Sequence, residues 1–315
     1  MARRRIGQDQ LRREADRGRR SGSLDEIASL IDWAEIDRHL APIYAAPKGE
    51  QAWPPLALFK ALLLAVWHDL SDVKLAEALD DRASFRQFCG FAQHEPTPER
   101  TAFVRLRREL VARSLDRVLF EAVTCQLDDK GVVVRTGTLI DATIIASNSK
   151  DKDGEARWVK HRGRAAVHGY KAHVAADAKG GIVRSLEVTP ANINDGRMLG
   201  AVLPESPGDV YADLAYASTA NEQEIRAAGG RPHLPGRGVW AVAGDAAALA
   251  RLEAWNAQVG RIRRCIEKIF GTWKRCYGLR RMRWRGLAKA ALQVRLTATA
   301  YNLRRAVALV RAALA

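Results

Sequence analysis

From residue 25 to about 128 the apolar positions recur three and four apart, and the punctuation between them is that of helices. "PPLALFKALLLAVWHDL" opens with prolines where a first helical turn tolerates them, Ser71 stands as an N-cap before "DVKLAEALDD", and "TPERTAFVRLRREL" starts after Thr97-Pro98. No strand pattern interrupts this stretch. Its short helices and brief polar turns, as in "SDVKLAEALDDRASFRQFCGF", suit a helix-turn-helix that reads DNA and equally any small helical bundle.

Near "LDDKG" the period changes. "VVVRTGTLIDATIIAS" is rich in Val, Ile and Thr, "HGYKAHVAAD" alternates, "GGIVRSLEVT" follows a Gly-Gly turn and "GDVYADLAY" follows Pro-Gly, so four strands are expected. The polar "NSKDKDGEARWVKHRGRA" between the first two reads as a surface loop or lid. From about residue 245 the helical period returns. Trp255, Val259, Ile262, Ile266, Ile269, Trp273 and Tyr277 are four and three apart, which predicts one long amphipathic helix, and a last helix runs from Leu287 to Leu309. The fold class is α/β, a sheet domain flanked by helices and preceded by an all-α region. The boundaries expected are an arm at 1–24, a helical DNA-binding or dimerisation region at 25–130 and the α/β domain at 131–315.

Composition adds a partner. A chain of 315 residues that is 47% hydrophobic can build one large or two ordinary cores, and its net charge of +15 calls for a polyanion. Long periodic apolar segments separate it from the short, low-complexity basic proteins, which leaves a globular protein that works on nucleic acid. Residues 1–22 hold eight arginines against three acids and suit a loosely ordered basic arm. Cys89, Cys125, Cys265 and Cys276 have neither Cys-x-x-Cys pairing nor histidines at zinc-ligand spacing, and are expected to be reduced, mostly buried thiols. The start lacks the apolar stretch of a secretory signal, and the longest apolar run, "LLLAVW", is too short to span a bilayer. A cytoplasmic protein without membrane contact is the expectation. No Walker loop or dinucleotide fingerprint occurs, so no nucleotide cofactor is implied.

The candidate chemistry lies in three carboxylates. Residues 261–289 contain eleven Lys and Arg and a single acid, Glu267, whereas a solvated helix face usually mixes signs. At ~100° per residue, Arg263, Glu267 and Lys274 fall within a stripe roughly 40° wide at the margin of the apolar face. Asp141 interrupts a β-branched strand and Asp213 ends another, positions where a charge costs several kcal/mol, on the order of a buried unpaired group, unless a cation or donor meets it. Strand-end solvation and a surface ion pair between Arg263 and Glu267 would account for each acid singly. Together, three hard oxygen donors can converge on Mg²⁺ or Mn²⁺, and two such ions activate an attacking oxygen and stabilise a leaving one on a phosphodiester. Asp195 reads as a helix cap, His168, Tyr170, Lys171 and His173 as structural residues alternating along a strand, and Trp273 as core. "WKRCYGLRRMRWRGLAK" interleaves aromatic rings with cations, so Lys274, Arg275, Arg280, Arg281, Arg283 and Trp284 join Arg263 as candidate DNA contacts.

The order strand Asp, strand Asp, helix Glu, with the last in Arg263-x-x-x-Glu267 followed by Lys274, resembles the DDE transposases of bacterial insertion sequences, specifically the insertion-sequence-five type. "HGYKAHVAAD" and "TPANINDGRML" resemble the segments such proteins carry between their aspartates, and "ALFKALLLAVWHDLSDVKLAEALDDRASFRQFCGF" resembles their N-terminal helical region, so the likeness covers roughly residues 50–305. It departs at Gly260, where the family usually has Tyr, and at Ala215, where it has Gly. The resemblance implies a ribonuclease-H-like domain in which Asp141, Asp213 and Glu267 are catalytic and hold the metal, two ions of Mg²⁺ or Mn²⁺. It implies water attack at an element's end, attack of the released 3′-hydroxyl on target DNA, and a homodimer or higher multimer on DNA at the nucleoid. A nuclease that cuts without joining, and a DNA-binding protein with no working metal site, are the rival readings.

Overall fold

The computed structural model describes residues 2–3, 22–44, 51–160, 163, 165–236 and 244–314. Most of the expected arm lies outside the described residues; of it, Ala2–Arg3 forms a two-residue strand, β1, parallel to β2 (Gln51–Ala52). The chain divides into two compact units, residues 1–129 with 276–278 and 295–315, and residues 130–275 with 279–294. This differs at the C-terminal end from an uninterrupted 131–315 domain.

The first unit is helical: α1 (Ser23–Leu30), α2 (Trp33–Leu40), α3 (Pro55–Trp67), α4 (Asp72–Asp81), α5 (Ala83–Cys89), α6 (Arg100–Ala112) and α7 (Leu115–Asp129). Pro55 occupies the first turn of α3, and the Ser71 side chain accepts from the Lys74 N–H at the start of α4, as the sequence leads one to expect. α3 is apolar nearly all round because it is central, with α2, α4, α5 and α6 against it. The end of the last helix, α12 (Leu287–Leu314), belongs here. Its Arg295 pairs with buried Asp116 at 2.6 Å and its Ala300 carbonyl accepts from Trp67 Nε1 at 2.8 Å, and these partners hold residues 295–314 in the helical unit. Of the cysteines only Cys89 is buried; Cys125, Cys265 and Cys276 are free thiols on outward helical positions, which corrects the expectation that most are buried.

The second unit is built on a mixed sheet. Its strands are β3 (Gly137–Ala146), β4 (Arg157–Val159), β5 (Val167–Asp177), β6 (Val183–Pro190), β7 (Asp209–Tyr211) and β8 (Arg231–His233). The order is β6–β5–β3–β7–β8; the first three run antiparallel, β7 is parallel to β3 and β8 parallel to β7. β4, within the segment expected to be a loop, pairs with the start of β5. The strand expected to begin at Val132 begins at Gly137, after Arg135 at φ 54° has turned the chain. Short helices α8 (Leu199–Val202) and α9 (Thr219–Ala227) are followed by α10 (Ala246–Arg263) and α11 (Cys265–Cys276). The core joins Ile140, Ala175, Leu199, Val202, Val210 and Ile225. Trp273 is fully buried, as its position in the apolar period predicts. No helix among the described residues is long and apolar enough to cross a membrane.

Candidate active site

β7 pairs in parallel with β3 through Leu139↔Tyr211, and two residues further along each chain stand Asp141 and Asp213. The register therefore sets the two carboxylates side by side. Asp141 is in mid-strand with its side chain 15% exposed. Its Oδ1 accepts from the Ala142 N–H at 2.8 Å and its Oδ2 from Arg263 Nη1 at 2.6 Å. Burial pushes its pKa up to about 6; Arg263 and the Ala142 N–H oppose the rise, while Asp213 and Asp195 add to it. Asp213 follows β7 and caps a 3-10 turn, Leu214–Tyr216, by accepting from the Ala215 N–H at 2.9 Å. Ala215 is not among the residues with positive φ, so alanine in place of glycine meets no backbone penalty here.

A third carboxylate arrives from a neighbouring turn. The 3-10 turn Asp195–Met198 is capped by Asn194, whose Oδ1 accepts from the Gly196 N–H at 2.9 Å, and not by Asp195 as expected. Asp195 is free to reach inward, where its Oδ1 lies 2.7 Å from buried Lys171 Nζ. Lys171 also donates to the Ile193 carbonyl at 2.7 Å. His173, on the same face of β5, contacts Thr189 Oγ1 through Nε2 at 2.9 Å, and burial, reinforced by Lys171 and opposed by Asp195, depresses its pKa to about 4. It is neutral at physiological pH. On the other face His168 Nε2 meets the Ala156 carbonyl at 3.1 Å and the Tyr170 hydroxyl donates to Asp153 at 2.6 Å, the structural use expected of both.

Backbone contact holds the two turns together. A Cβ on Gly196 would collide with the Ala215 carbonyl, and Asn221 Nδ2 donates to the carbonyls of both Gly196 (3.0 Å) and Tyr216 (2.8 Å). Tyr216 packs beneath the acids. Its hydroxyl is buried without a hydrogen-bond partner among the described residues, and burial together with Asp195, Asp141 and Asp213 raises its pKa. Sequence reasoning missed Asp195, Lys171 and Gly196 as parts of this site; the Asn-Asp-Gly run signalled a turn but not what the turn approaches.

The helix that carries the third expected ligand is interrupted. α10 ends at Arg263 and α11 begins at Cys265, with the Glu267 N–H bonded three residues back to the Arg264 carbonyl, so the single helix expected through Tyr277 is two. Arg263 closes the first segment onto Asp141; Glu267, in the first turn of the second, is exposed. Among the described residues no group of three His, Cys, Asp or Glu side chains is assembled to hold a metal ion. The donors present fit a hard divalent cation in kind: two neighbouring carboxylates, one with its pKa raised by burial, above a buried hydroxyl that lacks a partner. Of the three carboxylates expected to hold a metal, Asp141 and Asp213 are neighbours and Glu267 is exposed.

The expected DNA contacts divide. Arg263 is engaged by Asp141. Lys274 is half-buried, and its carbonyl accepts from Arg280 Nε at 3.2 Å. Arg275, Arg280 and Arg281 are exposed, while Arg283 and Trp284 are half-buried. The 280–283 segment is anchored beside the end of β3: the Ala146 N–H donates to the Arg280 carbonyl and the Met282 N–H to the Ala146 carbonyl at 2.7 Å, so these arginines are placed five residues along the strand from Asp141.

The family model described as "Transposase DDE domain" matches residues 134–303, and one described as "Transposase domain (DUF772)" matches residues 10–109. No solved structure matches the chain.

Proposed function

For a chain that belongs to the transposase DDE domain family, we propose a DNA transposase whose second unit is a ribonuclease-H-like catalytic domain and whose first is a DNA-binding helical region. It cleaves DNA at the ends of an insertion sequence and transfers the 3′-hydroxyl end to target DNA. The observation that carries this reading is the parallel β3–β7 register that sets Asp141 beside Asp213. A central strand flanked by an antiparallel pair on one side and parallel strands on the other is the arrangement expected of such a domain.

Asp141 and Asp213 would hold divalent ions, Mg²⁺ or Mn²⁺, with Glu267 as third ligand once its side chain turns inward from the helical turn after Arg263. Such ions supply activation of the attacking oxygen and stabilisation of the leaving one. The chain's own groups do the rest. Lys171 holds Asp195 beside the pair, and the Gly196–Ala215 contact fixes the separation of the two turns. Arg263 shares Asp141 Oδ2 with any cation held there, and a guanidinium turned off the carboxylate is placed for a phosphate. Arg275, Arg280, Arg281, Arg283 and Trp284 line the DNA path, two protomers pair two DNA ends, and the protein works at the nucleoid.

A strand-transfer assay with duplexes that carry the element's ends tests this. Joined products that need Mg²⁺ or Mn²⁺ and disappear in Asp141→Asn, Asp213→Asn and Glu267→Gln support the reading. Cut but unjoined products would mean a nuclease, and binding without either product, a DNA-binding protein.

A further inference from the structure

We propose that α6 is the element that reads DNA sequence in the helical unit, laying its outer face in the major groove; this rests on the transposase reading above. The exposed residues of α6 are Arg100, Thr101, Val104, Arg105, Arg108 and Ala112. At about 100° per residue they fall within an arc of roughly 140°. Three cations, a hydroxyl and two methyl-bearing side chains make up that arc, with no carboxylate among them. Arginine forks fit guanine edges and phosphates, Thr bonds either base edge, and an exposed valine, here 39% accessible, suits a thymine methyl. Arg105 and Arg108, three apart, repel each other unless an anion lies across them. Among the described residues none of the three arginines has an ion-pair partner.

The opposite face of α6 fixes it rigidly. Phe103, Leu106 and Leu110 are buried, and buried Arg107 makes a two-pronged contact with Asp72 at 2.8 and 2.6 Å. At 13 residues α6 is about 20 Å long, enough to lie along a groove. The α4–α5 pair, in which a helix-turn-helix was legible, is less suited. α4 exposes Glu77, Asp80 and Asp81 against Lys74 alone, and seven-residue α5 exposes only Ala83, Ser84 and Gln87. Its one cation, Arg86, is buried and donates to the carbonyls of Leu79 and Ala92. Presented to DNA, that hairpin would set three acids against phosphates, with Lys74 and Arg82, between the two helices, as its exposed cations.

The test uses the full chain and a pool of random-sequence 30-base-pair duplexes, roughly three helical turns long. Bound duplexes are selected and sequenced, and affinity is then followed against salt. The wild type is expected to enrich a motif. Arg108→Ala and Val104→Ala should each alter the motif at one or two positions, with a loss of about tenfold to a hundredfold on the wild-type motif for the arginine. The triple Arg100→Ala, Arg105→Ala, Arg108→Ala variant should flatten the slope of log affinity against log salt by about 2, from the two arginines left to phosphates once Arg108 reads a base. Lys74→Ala should change neither motif nor affinity, and unchanged circular dichroism keeps folding out of the comparison. If the wild type enriches a motif that the α6 variants keep at unchanged affinity, or that Gln87→Ala alters instead, the proposal is overturned while DNA binding stands. If the wild type binds no duplex even at low salt, the transposase reading falls and the proposal with it.

Discussion

Asp141→Asn should make the metal-free protein more stable at neutral pH although it breaks an ion pair. Two effects oppose each other at this residue. Arg263 at 2.6 Å favours the ionised acid, and burial disfavours it. The folded pKa of about 6, against an ordinary 3.8, shows that burial wins by about 2 units, which is roughly 3 kcal/mol at 1.36 kcal/mol per unit. The folded pKa is the higher one, so this stability is present below about pH 4 and is lost as pH rises through about 6. Asparagine keeps the shape and neutrality of the protonated acid. The folded pKa of about 6 already contains what Arg263 and the Ala142 N–H give the carboxylate, so their weakening in asparagine is not a further loss and the gain stays at roughly 3 kcal/mol. Hydrogen exchange of the β3 and β5 ladder amides, measured in chelator at several pH values between 4 and 7.5, reads the unit that holds the residue. Opening in the variant should be rarer by roughly 100-fold or more at pH 7.5, and equal to wild type near pH 4. A variant less stable than wild type at pH 7.5, or a difference independent of pH, would refute the reasoning and make Asp141 an ordinary salt-bridge partner of Arg263.

Titration with Mn²⁺ should raise the melting temperature of the wild type and not of Asp141→Asn, by the equivalent of about 2.7 kcal/mol at a hundredfold excess over Kd; the gain should shrink below about pH 6, where a proton competes for Asp141, and calorimetry across pH 5–8 checks both. Glu267→Gln is expected to leave unfolding within about 0.5 kcal/mol of wild type, because the side chain is exposed, while it abolishes strand transfer; loss of fold together with activity would count against a catalytic role. Gly196→Ala should cost about 1–3 kcal/mol in urea unfolding, because its Cβ meets the Ala215 carbonyl, and should weaken Mn²⁺ binding by spreading the turns that carry Asp195 and Asp213.

What the sequence made legible is what depends on short range. Ser71 as a cap, the Gly-Gly turn before β6 and the β-branched run around Asp141 are local signals, and each element formed where its signal stood. β4 escaped because Arg157–Val159 is three residues long and partners β5 from within a polar segment. Asp195 escaped because Asn-Asp-Gly offers two capping residues, and the choice between them is made by Lys171, 24 residues earlier on another strand. The interruption at Arg264 is the most consequential of these. The apolar spacing from Trp255 to Tyr277 runs through it unbroken, because spacing reports which side chains face the core and not whether the backbone between them is continuous. Positions four apart on one straight helix are separated by about 40° and would bring Arg263 and Glu267 to the same partner. In the structure Arg263 meets Asp141 at 2.6 Å and Glu267, in the turn after the interruption, is exposed.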